Sequence, residues 1–382
     1  MGYLWRKKMP AAPQHITCRV KAYRQSKGWS QARLAHKIGI KRQAVYDIES
    51  GRYLPNTAVA LKLARQFGCR VENLFVDESA RNKEPVVMVE KSLSPRISTA
   101  RIRGRLVGFP LDESGVMADT LTSADAILSD TETHAELLCP PALLEKTILL
   151  MGCDPAFGIL SAHMGRSAAD CRLHSRFATS HLALKRLGQG YTHIAGSHLH
   201  NTGSHEANVT AASRKLPEDN GMVVGFSTVE EGLVVARGNP LKIRGIHDLT
   251  RSDVRFVNRD AGAALRVLLD DLLRKAAIPN TAVNGYENMV YSHTQGAWKV
   301  RFGIADAALG LRVIAHAFDM DFLPLDAVRC DLVIPADMME LSPVKVMLDI
   351  LQTRIFQKEL RTIPGYDTGM TGKIIARLNQ AT

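Results

Sequence analysis

Arg42 and Gln43 stand side by side at the start of a short run, Lys41 to Ser50. A guanidinium offers a bidentate fork to O6 and N7 of guanine, and a carboxamide a bidentate pair to N6 and N7 of adenine. Lys41 precedes them, Tyr46 and Asp47 follow one turn later on the same exposed face, and Gln31 and Arg52 flank the run. A second set of candidates lies far downstream. Gly152-Cys153-Asp154-Pro155 and the segment from Asn258-Arg259 to Gly262 each sit where an apolar strand gives way to a helix. Such crevices collect ligands, and free N–H groups at a helix N-terminus favour anions. Arg259 and Arg266 supply charge there, Asn258 and His198 neutral hydrogen bonds, and His293 and Asp306 a far wall. Each also has a purely architectural role open to it: Asp154 as a helix cap, Arg266 as a surface residue, His293 as a helix-start residue.

The elements that must carry the first set are read from periodicity. Ser30 is placed as an N-cap; Leu34, Ala35 and Ile38 share one helical face, Gly39 turns the chain, and Val45 and Ile48 share the next face. Pro55 and Asn56 open a further helix with Ala60, Leu61, Ala64 and Phe67 at helical spacing, closed by Gly68 at C′. Residues 1–80 hold fifteen Lys and Arg against five Asp and Glu, so they carry +10 of the chain's +11. A positive field confined to one segment fits a phosphate-backbone binder better than a solvated interaction helix.

Over roughly residues 16 to 76 the chain resembles the helix-turn-helix of the Cro and Xre repressor family. Arg24, Gly28, Ser30-Gln31, Leu34-Ala35, Gly39, Val45, Ile48-Glu49, Gly51-Arg52, Pro55 and Asn73-Leu74-Phe75 carry the resemblance. It implies that Lys41 to Ser50 is a recognition helix in the major groove of double-stranded DNA, with Gln31 and Arg52 holding phosphates.

At 382 residues the chain suggests two or three domains of ~150 residues. Residues 77–98 read as a linker with one short strand. RIRGRLVGFPL and HAELLCP read as strands of a small β-rich insert, separated by a polar stretch from Asp112 to His134. From Glu145 strands and helices alternate: ILLMG, a helix from about Ala156, HLALKRLGQG, THIAGSHL, MVVGFSTVEEGLVVA, VRFVN, GAALRVLLDDLLRKA, a helix near His293, IADAAL and DLVIP. That alternation predicts parallel sheet with helices on both faces, divided into two sheets.

GCDPA at 152–156, AGSHL at 195–199, ARGNP at 236–240, RFVNRD at 255–260, ADAALG at 305–310 and PGYDTGMTG at 364–372 resemble the periplasmic-binding-protein-like domain of bacterial regulators, a family likened to molybdate and tungstate receptors. The resemblance implies an all-α helix-turn-helix head plus an α/β two-lobed periplasmic-binding-protein-like (type II) domain. The expected divisions are 1–80, a linker and insert over 81–144, and an effector domain over 145–382, with lobe 1 at about 145–225 and 335–382 and lobe 2 at about 235–325. Hinge candidates are Val223 to Val235 and Asp331 to Pro335, with ligand in the cleft between lobes. One departure matters. The family's helix entry reads Arg-Gly-Ser-Gly-Thr-Arg, where this chain has Ala261-Gly262-Ala263-Ala264-Leu265-Arg266, and its acidic pair is here Met289-Val290. Two hydroxyls and one arginine suited to an oxyanion are missing, which predicts a less anionic ligand or the loss of strong binding.

Several functions find no support. No Gly-x-Ser-x-Gly elbow, Walker loop or dinucleotide fingerprint occurs, so neither an enzyme nor a cofactor is expected. Histidines 193, 198, 200 and 205 lack zinc-ligand spacing, and the six scattered cysteines predict free thiols. The start MGYLWRKKMPAAPQH lacks the ~7 to 15 apolar residues of a signal peptide, and no segment reaches the ~18 of a membrane span. The expectation is a cytoplasmic, homodimeric or larger, one-component transcriptional regulator that senses a small molecule, with an oxyanion or metal-cofactor-related ligand as one candidate class. Its rivals are a DNA-binding protein with a ligand-free dimerisation scaffold and a cleft enzyme with an autoregulatory head.

Overall fold

The computed structural model describes residues 16–77, 83–111, 122–200, 206–216 and 220–378. The readings of the first fifteen residues, of positions 112–121 of the polar stretch and of His205 lie outside the described residues. The chain divides between Lys83 and Glu84 into two compact units.

The first unit is helical. It comprises β1 (Ile16–Cys18), α1 (Val20–Ser26), α2 (Gln31–Ile38), α3 (Arg42–Glu49), α4 (Thr57–Phe67), α5 (Val71–Leu74) and β2 (Phe75–Asp77). The expected caps form: Ser30 Oγ accepts from Arg33 N and Asn56 Oδ1 from Val59 N, while Gly39 and Gly68 end their helices at positive φ of 73° and 70°. Leu34, Ile38, Val45, Ile48, Leu63 and Phe67 meet in one core. The sequence did not signal the short antiparallel ribbon of β1 and β2, which brings the two ends of the unit together.

The second unit begins with a closed barrel of β3 (Lys83–Met88), β4 (Arg96–Ile102), β5 (Arg105–Pro110), β6 (Ala126–Leu128) and β7 (His134–Leu137). RIRGRLVGFP is therefore two strands and not one. Arg103 and Gly104 both have positive φ, 49° and 75°, and Ile102 pairs with Arg105, which is the two-residue turn that matches strand twist. A non-glycine first turn residue hid that hairpin.

After α6 (Pro141–Leu144) come β8 (Thr147–Gly152), α7 (Phe157–Ser167), β9 (Arg172–Phe177), α8 (Ser180–Gly188), β10 (Ile194–Ser197), α9 (Ala207–Lys215) and the long β11 (Gly221–Val235). The chain then builds β12 (Phe256–Arg259), α10 (Ala264–Lys275), β13 (Met289–Val290), α11 (His293–Arg301), β14 (Ala307–Leu311) and α12 (Arg312–Ala317). It returns through β15 (Asp321–Pro335) to α13 (Ser342–Gln352), α14 (Arg354–Arg361), β16 (Tyr366–Asp367) and β17 (Ile374–Leu378).

The expected pair of separate parallel sheets is corrected. One continuous ten-stranded sheet runs in the order β13-β12-β14-β11-β15-β10-β8-β9, with β16 and β17 also on β11. Its outer parts are parallel, as the alternation implied, but β11 and β15 pair antiparallel from Gly221 with Pro335 to Val235 with Asp321. Each is fifteen residues long and serves both lobes. The returning strand thus begins at Asp321, not near Asp331. At Gly232 a Cβ would come 2.1 Å from Leu323 O, so a side chain there is incompatible with the crossing. Lobe 1 has one core, around Leu150, Phe157, Phe226 and Phe356; lobe 2 has two clusters, one around Phe256, Leu265 and Leu269, the other around Val234, Ala297 and Ala315.

Candidate functional site

In the head, Lys41 is the N-cap of α3, and Arg42 and Gln43 on its first turn are exposed. Gln43 Nε2 donates to Asp47 Oδ1 at 3.1 Å, and the Arg52 guanidinium lies 5.4 Å from the centre of the Tyr46 ring. Gln43 thus stands beside Asp47, and Tyr46 beside Arg52. Gln31 Nε2 donates to Glu49 Oε2 at 3.0 Å, which fixes this side chain against α3. Arg24 donates to both Glu49 oxygens, at 2.6 and 3.0 Å, and to Trp29 O at 2.7 Å. Burial pushes the Glu49 carboxyl up, but the bonds from Arg24 and Gln31 outweigh it and hold its pKa below the usual range. Arg24 and Glu49 lie 25 residues apart, and nothing in the local pattern joins them.

In the second unit, β8 delivers Cys153 and Asp154 to the start of α7, and β10 delivers His198 beside them. Cys153 Sγ lies 3.2 Å from His198 Nδ1. Asp154 accepts from Ala156 N in the turn before α7 at 2.8 Å, and also from Ser227 Oγ of β11 at 2.8 Å and Tyr366 Oη of β16 at 2.6 Å. It therefore fastens lobe 1 to a crossing strand. Glu231, fully buried on β11, sits 3.7 Å from His198 Nε2 and accepts from His200 Nε2 at 2.7 Å. Cys153, Asp154, His198, His293 and Cys330 line one small cavity of about 10 Å³, and Cys153, Asp154 and His293 also line a cleft of about 690 Å³.

Lobe 2 contributes Arg259 at the end of β12 and His293 at the start of α11. Arg259 Nη1 lies 3.2 Å from His293 Nδ1, and Nη2 donates to Tyr291 O at 3.3 Å. A guanidinium can only donate, so Nδ1 accepts and the neutral ring carries its proton on Nε2. Burial, reinforced by the charge of Arg259, holds His293 well below the ordinary histidine value, and burial also lowers His198 and raises Cys153 and Asp154. For His200 burial is the largest influence and acts downward, but Glu231 and Asp326 together raise it.

The remaining sequence candidates lie apart. Asn258 is buried behind the strand end, its amide donating to Tyr286 O at 3.1 Å. Arg266 lies 3.8 Å over the Tyr286 ring and donates to Arg259 O at 3.2 Å, so it is not a surface residue. Gly262 is exposed at the turn before α10, within 4.0 Å of Thr179 Oγ1 of lobe 1 for a built Cβ. Asp306 is not a cleft wall: Arg255 takes its carboxylate through N, Nε and Nη2 at 2.8 to 2.9 Å. Leu265 is 1% exposed within the lobe 2 core, so a hydroxyl at that position would face the core and not the cleft. Sequence reasoning missed Ser227, Glu231 and Tyr366; the first two lie within strand text that reads as core, and the third is 212 residues from Asp154. All six cysteines are free thiols, and among the described residues no helix is long and apolar enough to cross a membrane.

A PBP superfamily domain matches residues 161–352, and a helix-turn-helix matches residues 20–74. The chain belongs to the PBP superfamily and carries a helix-turn-helix domain at its head. The uncharacterized protein YvgK of Bacillus subtilis (strain 168) is 31% identical over 228 residues, covering 60% of this chain and 73% of that protein. An uncharacterized HTH-type transcriptional regulator of Archaeoglobus fulgidus is 38% identical over 58 residues, 15% of this chain and 83% of that one. Among solved structures, the sulfate-binding protein SubI from Mycobacterium tuberculosis H37Rv aligns at 17% identity with a TM-score of 0.45, over 58% of this chain and 86% of that one. The effector binding domain of QuiR in complex with shikimate aligns at 16% and 0.40, over 53% and 93%. At those values neither structure bears on what this cleft binds.

Proposed function

We propose that this protein is a transcriptional regulator that binds double-stranded DNA through α2 and α3 and changes its DNA affinity when a small molecule enters the cleft between the two lobes. The observation that carries the reading is the polar cluster at the crossing strands. Cys153, Asp154 and His198 of lobe 1, Ser227 and Glu231 of β11, and Arg259 and His293 of lobe 2 converge there, and Glu231 Oε1 and Arg259 Nε meet no hydrogen-bond partner among the described residues. Buried polar atoms without partners are costly and are found where a ligand completes them. Because Asp154 and Glu231 engage the strands that join the lobes, a ligand on this cluster biases how the lobes close.

The scaffold rival draws on the missing hydroxyls at Ala263 and Leu265; two buried polar atoms that make no hydrogen bond among the described residues favour a binding cleft over it. Lys41, Arg42, Gln43, Tyr46, Asp47 and Arg52 form the DNA-facing set, with Gln31 positioning Glu49. A single head reads few base pairs, so the working species is a homodimer or larger on half-sites ~34 Å or a multiple apart. It acts in the cytoplasm, where the DNA is. The test selects bound duplexes from a random pool and measures their affinity with and without any compound that raises the melting temperature. Ligand and DNA must alter each other's affinity by the same factor. A stabilising compound that leaves DNA affinity unchanged, or a strictly monomeric complex, removes the reading.

A further inference from the structure

The large cleft has a third wall that the two lobes do not supply. The loop joining β3 and β4 of the barrel places Glu90, Lys91 and Leu93 along it, opposite Phe177 of lobe 1 and Tyr291 of lobe 2. Leu93 is 86% exposed, Tyr291 64% and Phe177 52%, so three large apolar side chains from three parts of the unit border one opening without covering one another. Lys91 has neither an ion pair nor a hydrogen bond among the described residues. At the inner end His293 lines the cleft with its proton on Nε2, because Arg259 occupies Nδ1, and Nε2 meets no acceptor among the described residues. Ser292 caps α11 by accepting from Gln295 N, which leaves the N–H groups of His293 and Thr294 at the same end.

Size then decides between ligand classes. A cleft of about 690 Å³ falls in the range of about 300–1,000 Å³ that holds whole organic molecules, and a bare tetrahedral oxyanion would leave its apolar border in water. We infer that the cleft takes an organic acid with an apolar body. The carboxylate accepts from His293 Nε2 and the N-terminal N–H groups of α11, the body lies under Leu93, Phe177 and Tyr291, and Lys91 meets a polar group at the mouth. The barrel is thus a specificity element of the binding site. This rests on the cleft being the ligand site proposed above.

The test uses the full chain and a fixed panel: benzoate, phenylacetate, 3-phenylpropanoate and octanoate, their primary amides, and molybdate, tungstate, sulfate and phosphate. At least one carboxylate should raise the melting temperature and bind by calorimetry, with its amide at least tenfold weaker. Leu93→Ala and Lys91→Ala should each weaken that carboxylate five- to tenfold and leave the melting temperature of the free protein unchanged, since both side chains are exposed. Binding of the inorganic anions alone, no binding by any carboxylate, or unchanged affinity in both variants overturns the inference. The two readings fail separately. An oxyanion that binds and shifts DNA affinity keeps the regulator and removes the organic acid; a carboxylate that needs Leu93 but leaves DNA affinity untouched does the reverse.

Discussion

Replacing Glu49 with alanine should unfold much of the helix-turn-helix unit while leaving the second unit intact. Glu49 carries 3% side-chain exposure and Arg24 11%, so the pair is a buried one, and Gln31 adds a third bond from α2. Removing one partner of a buried ion pair leaves the other charge uncompensated, at a cost of about 3–5 kcal/mol. A unit of about 60 residues has a total stability of only about 3–9 kcal/mol at the usual per-residue value. The loss is therefore comparable with the whole. Hydrogen exchange read by mass spectrometry is the direct assay, because it reports the units separately. Peptides from α2 and α3 should lose most of their protection, while peptides from β8 and β11 keep theirs. Glu49→Gln should fall between, since it retains the shape and one acceptor. The sign with pH follows from the depressed carboxyl: its contribution is present above about 4.5 and fades as pH falls through the folded value. Exchange of α2 and α3 in Glu49→Ala within the wild-type range would refute the assignment of Glu49 as the fastening between α1, α2 and α3.

At the DNA surface, Arg42→Ala should cost about 1–3 kcal/mol on a selected duplex and relax preference at one base position, while Arg52→Ala weakens specific and random DNA alike; competition binding on both pools separates them. Ala263 is the N-cap of α10 with extended φ and ψ of −84° and 137° and no side-chain cap, so Ala263→Ser should add about 0.5–2 kcal/mol in urea unfolding. Leu265→Thr should instead remove roughly 2–4 kcal/mol from lobe 2, because it cuts apolar packing and buries a hydroxyl; a neutral result would place Leu265 outside the core. His193 accepts from Leu149 N and donates to Arg101 O, and burial lowers its pKa to about 4. Its folded value lies below its unfolded one, so stability is complete above pH ~6.5 and about 3 kcal/mol is lost as pH falls from there toward 4. Denaturation midpoints across that window should flatten in His193→Gln, with His198 and His293 keeping part of the slope.

Local features were legible in the sequence wherever their cause is local. Ser30, Gly39, Asn56 and Gly68 act on their own helix ends, and Leu34, Ile38, Val45 and Ile48 sit on faces defined by a period of 3.6, so the head could be read helix by helix. Strand ends that lead into helices likewise pointed to Cys153, Asp154 and Arg259. Tertiary structure decided what those residues face. The alternation of strands and helices is satisfied equally by two sheets or by one, and only the pairing of β11 with β15 over fifteen residues each made it one. Burial turned Leu265 and Arg266 inward and left Asp306 to Arg255. The partners of Asp154 come from residues 227 and 366, and the exposed Leu93 reaches a cleft floored by residues 153 and 293. A helix cap or a period is an interaction between near neighbours, whose geometry the covalent chain already restricts. The cleft is made by contacts across hundreds of residues, and their identity follows from the packing of whole lobes.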